Sequence, residues 1–248
     1  MYYNDCSFTN CNFNCERRNS LCSDLSPTEI ANIHNDCLLF LTENYHKDFH
    51  REVSFENLLD SVGFIRDFLL NRIPTCRYSI LCETEKLRKR IIEFGNDSEN
   101  HSEYINILYS VPSLNRELHN SPLPYSLVSD ITRLHEYALN GKISNPDFNL
   151  LFQKISHTDY GTLGNYCQKC MESVYNASKT FWKKHNIISK VAKQYPPDGW
   201  TCDDWASFCD ALGALIGTLG GGVGSALSSI MMSWAAKRDC QERPQESV

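Results

Sequence analysis

A surplus of positive charge is missing from this 248-residue chain: 24 Lys and Arg stand against 30 Asp and Glu, for a net charge of −6. A protein held on nucleic acid by phosphate contacts needs a basic face, so composition excludes that class. The first 24 residues contain no apolar run behind a basic start and do not read as a secretory leader. Neither a GxSxG elbow, nor a P-loop, nor a GxGxxG turn occurs. Those absences remove the nucleotide, dinucleotide and α/β-hydrolase chemistries that a sequence can announce. No stretch alternates apolar and polar residues for long enough to read as a strand, and no fixed period repeats. The most informative absence is of charge: no residue from Ala211 to Ala236 carries any.

What is present suits a folded protein. The hydrophobic share is 42%, within the range that builds a core. Twelve cysteines are many for this length, and Cys6, Cys11, Cys15 and Cys22 crowd the start. An even number with a cluster at one end suits disulfides in an oxidising compartment, so a secreted or cell-envelope location is expected. Spacing leaves the pairings open.

Helical signals dominate the middle of the chain. Residues 1–24 show no period and read as an irregular Cys- and Asn-rich arm. Ser26-Pro27-Thr28-Glu29 then has the form of a capping box with Pro at the first helical position. Ile30, Ile33, Cys37, Leu38 and Leu41 follow at helical spacing. A second helix is predicted from Ser54 to near Pro74, and a short one over 83–93 stopped by Gly95. Further helices are predicted around Tyr104–Val111, Leu127–Leu139, from Pro146, and over about 162–185. Gln194-Tyr195-Pro196-Pro197-Asp198-Gly199 disfavours helix and marks a linker. The expected architecture is all-α: an arm over 1–24, a multi-helical domain over 25–195, and a Gly-zipper helix or helical hairpin over 196–248.

In that tail, Gly213, Gly217, Gly221, Ser225, Ser229 and Ser233 recur every fourth residue. On one helix they form a smooth ridge of the kind that lets backbones approach closely in lipid. Twenty-six residues reach about 39 Å, enough to cross a hydrocarbon core of roughly 30 Å. Trp205 and Trp234 near its ends, with Lys237 and Arg238 beyond, resemble interface anchors. Composition opposes spanning. Seven Leu, Ile and Val contribute roughly −2 to −4 kcal/mol, while eleven of the 26 residues are Gly, Ser or Thr. The alternative is a helical hairpin over about 202–219 and 223–238, turning at Gly220-Gly221-Gly222, with its small faces packed inside the protein. Lys179, Lys183, Lys184, Lys190 and Lys193 precede the tail; the choice there is between steering to an anionic membrane and a solvated helix face, and the second is favoured.

Candidate chemistry elsewhere is sparse. Cys167-Gln168-Lys169-Cys170 lies in a helical pattern without a βαβ context, so a structural disulfide or buried thiol pair is expected rather than a redox motif. Cys202 and Cys209 stand too far apart to bridge one another and are each expected to pair elsewhere. His46 and His50 have HxxxH spacing but lack the intervening Glu, and no metal is called for. His34, beside Asn35, reads as a hydrogen-bonded helix histidine. A thiol or hydrolytic role for it requires a pocket that gathers His34, Asn35 and a titratable partner.

Three segments together carry a resemblance. Ile33-His34-Asn35 with Leu38 and Leu39, then Ser173 to Ser178 with Phe181-Trp182, then Cys209-Asp210-Ala211-Leu212-Gly213-Ala214 with Gly217 follow in this order. The chain resembles, over about 30–225, a group of uncharacterised exported or lipid-anchored helical proteins of Bacteroidetes. The resemblance implies an envelope or secreted helical protein without an assigned activity, and singles out His34, Asn35, Asp210, Gly213 and Gly217. The expectation is a non-enzymatic protein without cofactor, whose tail inserts in a membrane or self-associates, in the manner of a bacteriocin-like or pore-forming element. Its rivals are an interaction module with a structural hairpin and a cryptic hydrolase or thiol enzyme.

Overall fold

A computed structural model describes residues 25–44, 55–97, 123–139, 146–185, 201–218 and 221–239. These hold eight α-helices, α1 (Pro27–Asn44), α2 (Phe55–Arg72), α3 (Arg77–Asp97), α4 (Tyr125–Leu139), α5 (Pro146–His157), α6 (Gly161–His185), α7 (Cys202–Gly217) and α8 (Gly221–Asp239). A 3-10 turn, Pro74–Cys76, joins α2 to α3, and no strand occurs among the described residues. The all-α expectation holds. The arm over 1–24, the helix expected around Tyr104–Val111, the His46/His50 pair and the linker at 194–199 lie outside the described residues.

Local signals set the helix starts. The Ser26 hydroxyl accepts from the Glu29 amide at 3.2 Å, and the Glu29 carboxylate accepts from the Ser26 amide at 2.8 Å. This reciprocal pair satisfies two N-terminal donors and holds the Glu29 carboxyl below its usual range. Thr201 and Asp204 repeat it at the start of α7: the Asp204 amide donates to the Thr201 hydroxyl at 3.2 Å, and the Thr201 amide to the Asp204 carboxylate at 3.1 Å. Gly161, at φ 74°, turns the chain into α6, and Asp159 accepts from its amide at 2.9 Å. One expectation fails. The helix expected over 83–93 runs from Arg77 to Asp97 and passes through Gly95. A single glycine weakens a helix by about 1 kcal/mol, too little to end one whose buried Ile80, Leu87 and Ile91 are anchored in the core.

Packing makes the tail central. α7 lies along α8 and α6, while α1 lies against α6 and α8, so these four helices close a ring around shared side chains. α2 and α3 pack on each other and on α8, and α5 joins α4 to α6. The core is one continuous cluster that includes Ile30, Leu41, Val174 and Trp182 together with Phe208, Leu215, Leu227 and Met231. The tail is therefore part of the main body's interior and not a separate unit. On α8, Val223, Ala226, Leu227, Ile230, Met231 and Met232 are buried, and so are Ser225, Ser229 and Ser233. A helix whose apolar and small hydrogen-bonded side chains are buried together belongs in an interior. Each large side chain among them contributes about 1.5–3 kcal/mol by leaving water.

No described helix is long and apolar enough to cross a membrane. The 16 residues of α7 reach about 24 Å, short of a core of roughly 30 Å.

Candidate functional site

Where α1, α6, α7 and α8 meet, the interior holds polar groups. Asp210 on α7 is fully buried, as are His34 on α1, Ser178 on α6 and Ser233 on α8. One Asp210 oxygen, Oδ2, accepts from the Ser178 hydroxyl and, at 3.0 Å, from the Trp182 indole N–H. The other, Oδ1, accepts from the Ser233 hydroxyl. His34 Nε2 lies 2.9 Å from Ser233 Oγ and 3.5 Å from Asp210 Oδ2. On the far side of the ring, Nδ1 lies 3.0 Å from Asn35 Oδ1, and Asn35 Nδ2 donates to the Ala177 carbonyl at 3.2 Å. Every helix of the ring contributes to one network, and charge-assisted bonds in a dry interior are its strongest contacts.

The residues singled out by sequence divide cleanly. His34, Asn35, Asp210 and Ser233 are brought together. Ser178 and Trp182 were not assigned a role, although they stand four residues apart on one face of α6, the spacing that presents two side chains to one partner. Gly213 and Gly217 lie where α7 meets the backbone of α8. A carbon added at Gly213 would stand 2.6 Å from the Ser228 carbonyl oxygen, and one at Gly217 would overlap the Gly224 carbonyl. Ser225 reaches across to donate to the Ala214 carbonyl at 2.8 Å, whereas Ser229 donates within its own helix to Ala226. The single-helix ridge from Gly213 to Ser233 is thus corrected: the chain reverses between α7 and α8, and the small residues on the two helices lie in antiparallel runs. The interface-anchor expectation for Trp205 is also corrected. Its ring is buried and stacks on Phe208 at 5.9 Å. The helix start at Gly221 is described; the side chain of Trp234 lies outside the described residues.

A catalytic role requires a pocket that gathers His34, Asn35 and a titratable partner; the three groups meet, but buried from solvent. The Ser233 proton is directed to Asp210 rather than to the histidine, and His34, Asp210, Ser178 and Ser233 all have 0% exposure. A nucleophile needs space for a substrate within about 3 Å, and closely packed core surrounds this one.

The cysteines here are similarly inert. Cys167 and Cys170 form the buried thiol pair expected of the CxxC, and the Thr218 hydroxyl lies 3.0 Å from Cys167 Sγ. Burial pushes the Cys170 thiol up to about 12 and raises Cys37 and Cys167 as well. Thiols held protonated are poor nucleophiles. Cys209 is likewise a buried thiol, against the expectation that it pairs with another cysteine. No group of His, Cys, Asp and Glu among the described residues could hold a metal.

Two further features escaped the sequence reading. Asp130 on α4 is 3% exposed and accepts from the Tyr160 hydroxyl at 2.9 Å and from Lys154 at 2.7 Å, tying α4, α5 and the start of α6 together. Burial, then the bond to Asp130, raises the Tyr160 hydroxyl to about 12. A cavity of about 300 Å³ opens between α1 and α2, lined by Phe40, Phe64, Phe68, Asp67, Asn71 and Arg72. Nothing in the linear pattern separates Asp130 from the other acidic residues or the phenylalanines from ordinary core.

No protein-family model, curated protein or solved structure matches the chain.

Proposed function

We propose that this is a non-enzymatic helical interaction module of an exported or envelope-associated class, in which the uncharged tail is the structural core. The observation that carries this reading is the contact of Gly213 and Gly217 with the α8 backbone. At Gly213 and Gly217 the ridge is already filled by the protein's own helix rather than by lipid or a second copy. The sealed state of the Asp210 cluster supports a non-catalytic role. The resemblance to exported Bacteroidetes proteins points to the exported or envelope-associated class. Lys179, Lys183 and Lys184 are exposed on α6 and fit a solvated face.

Flotation of the full chain with vesicles containing anionic lipid tests this reading. The protein is expected to stay in the bottom fraction and to run as a single species without detergent. Migration with the vesicles would overturn the proposal in favour of a membrane-inserting tail.

A further inference from the structure

The hydrogen bonds around His34 carry more information than their distances. Asn35 Nδ2 donates to the Ala177 carbonyl, which turns Asn35 Oδ1, an acceptor only, toward His34 Nδ1. Nδ1 must therefore carry a proton. At the other ring nitrogen, Ser233 has a single hydroxyl proton. Asp210 Oδ2 already accepts from Ser178 and Trp182, and Oδ1 accepts from Ser233, so both carboxyl oxygens act as acceptors. With its single proton given to Asp210 Oδ1, the Ser233 oxygen is left to accept from Nε2. Nε2 must be protonated too.

We propose that His34 is held as a buried imidazolium, paired with the Asp210 carboxylate through Ser233, so that seating the α7–α8 hairpin against α1 requires one captured proton. This inference goes beyond the interaction-module reading and does not depend on it. Among the described residues, the charged neighbours on α6, Lys179 and Lys183, are exposed. α6 contributes Ser178 and Trp182, and α8 contributes Ser233. α1 and α7 also carry the buried thiols Cys37 and Cys209, while Asp36 turns outward to Arg72 at 3.0 Å. Loss of the ring proton from Nδ1 would leave that nitrogen facing Asn35 Oδ1 with two acceptors and no hydrogen between them. Loss from Nε2 would do the same against Ser233 Oγ. The pair therefore works as a latch that fits in one protonation state only.

The test is nitrogen-15 NMR of the histidine rings in the full chain at a pH of about 7.5, roughly one unit above the midpoint of an exposed histidine. His34 is assigned through its backbone, so no variant need fold. The expected result is two ring N–H signals for His34, with both nitrogens in the imidazolium range. A bare Nε2 beside a protonated Nδ1 would place the proton on Asp210 and overturn the proposal; a bare Nδ1 would overturn it as well. An Asp210→Asn variant, in which the compensating charge is gone, is expected to lose one of the two signals. Retention of both would contradict the pairing.

Discussion

Asp210→Ala is expected to abolish the native fold, or to lower its stability by at least about 4 kcal/mol. Removing one member of a buried charged pair costs about 3–5 kcal/mol, because the other is left uncompensated. Here the deletion also strands the Ser178 and Ser233 hydroxyls and the Trp182 indole, each at about 1–3 kcal/mol if left without an acceptor. A whole domain is stable by only about 5–15 kcal/mol, so a loss of this size is close to the total. Urea unfolding monitored by tryptophan fluorescence checks the outcome. A midpoint within about 1 kcal/mol of the parent would mean that the cluster contributes little to holding α1, α6, α7 and α8 together. Contributions within such a network are not additive, so the prediction concerns the sum and not its division among partners.

Gly217→Ala is expected to cost about 3 kcal/mol, although alanine is the better helix former. The added carbon would overlap the Gly224 carbonyl, and Gly224 meets the Gly217 carbonyl in return, so the two backbones have no slack. Overpacking a core costs about 1–3 kcal/mol where side chains can yield, and backbone yields less readily. For a chain of this length the loss corresponds to a fall of roughly 6–12 °C in Tm. Gly63→Ala on α2 is the control. Nothing lies within 4 Å of the added carbon, and the helix should gain up to about 1 kcal/mol. Equal behaviour of the two variants in thermal unfolding would contradict close backbone contact in the hairpin.

Much of the fold was legible because its signals are local. The Ser26–Glu29 box and Pro27 start α1 through contacts within one turn, and the apolar spacing from Tyr166 to Phe181 marks α6, a helix of 25 residues. The four-residue spacing of the small residues in the tail pointed to close helix packing before any partner was known. The partner itself was not legible. Both a single spanning helix and a hairpin place Gly213 and Gly217 on one face, and only tertiary packing brings Ser228 and Gly224 against them. The same limit applies to the polar cluster. His34, Asn35 and Asp210 were each singled out, yet the bond from His34 to Ser233 joins positions 199 residues apart. Linear spacing carries no information about such a contact. Asp130, with its partners on other helices, was hidden for the same reason. Gly95 misled in the opposite direction: a local stop signal was outweighed by the core contacts of α3.

The central claim, that the uncharged tail is the interior of this protein, is tested most directly by amide hydrogen exchange across residues 211–236 of the full chain in aqueous buffer. Buried helices exchange only through large-scale opening, whereas an unprotected segment exchanges at the rate of an unfolded peptide. The account predicts that amides of α7 and α8 exchange as slowly as those of α1 and α6. Exchange at random-coil rates throughout 211–236, with α1 and α6 still protected, would contradict it.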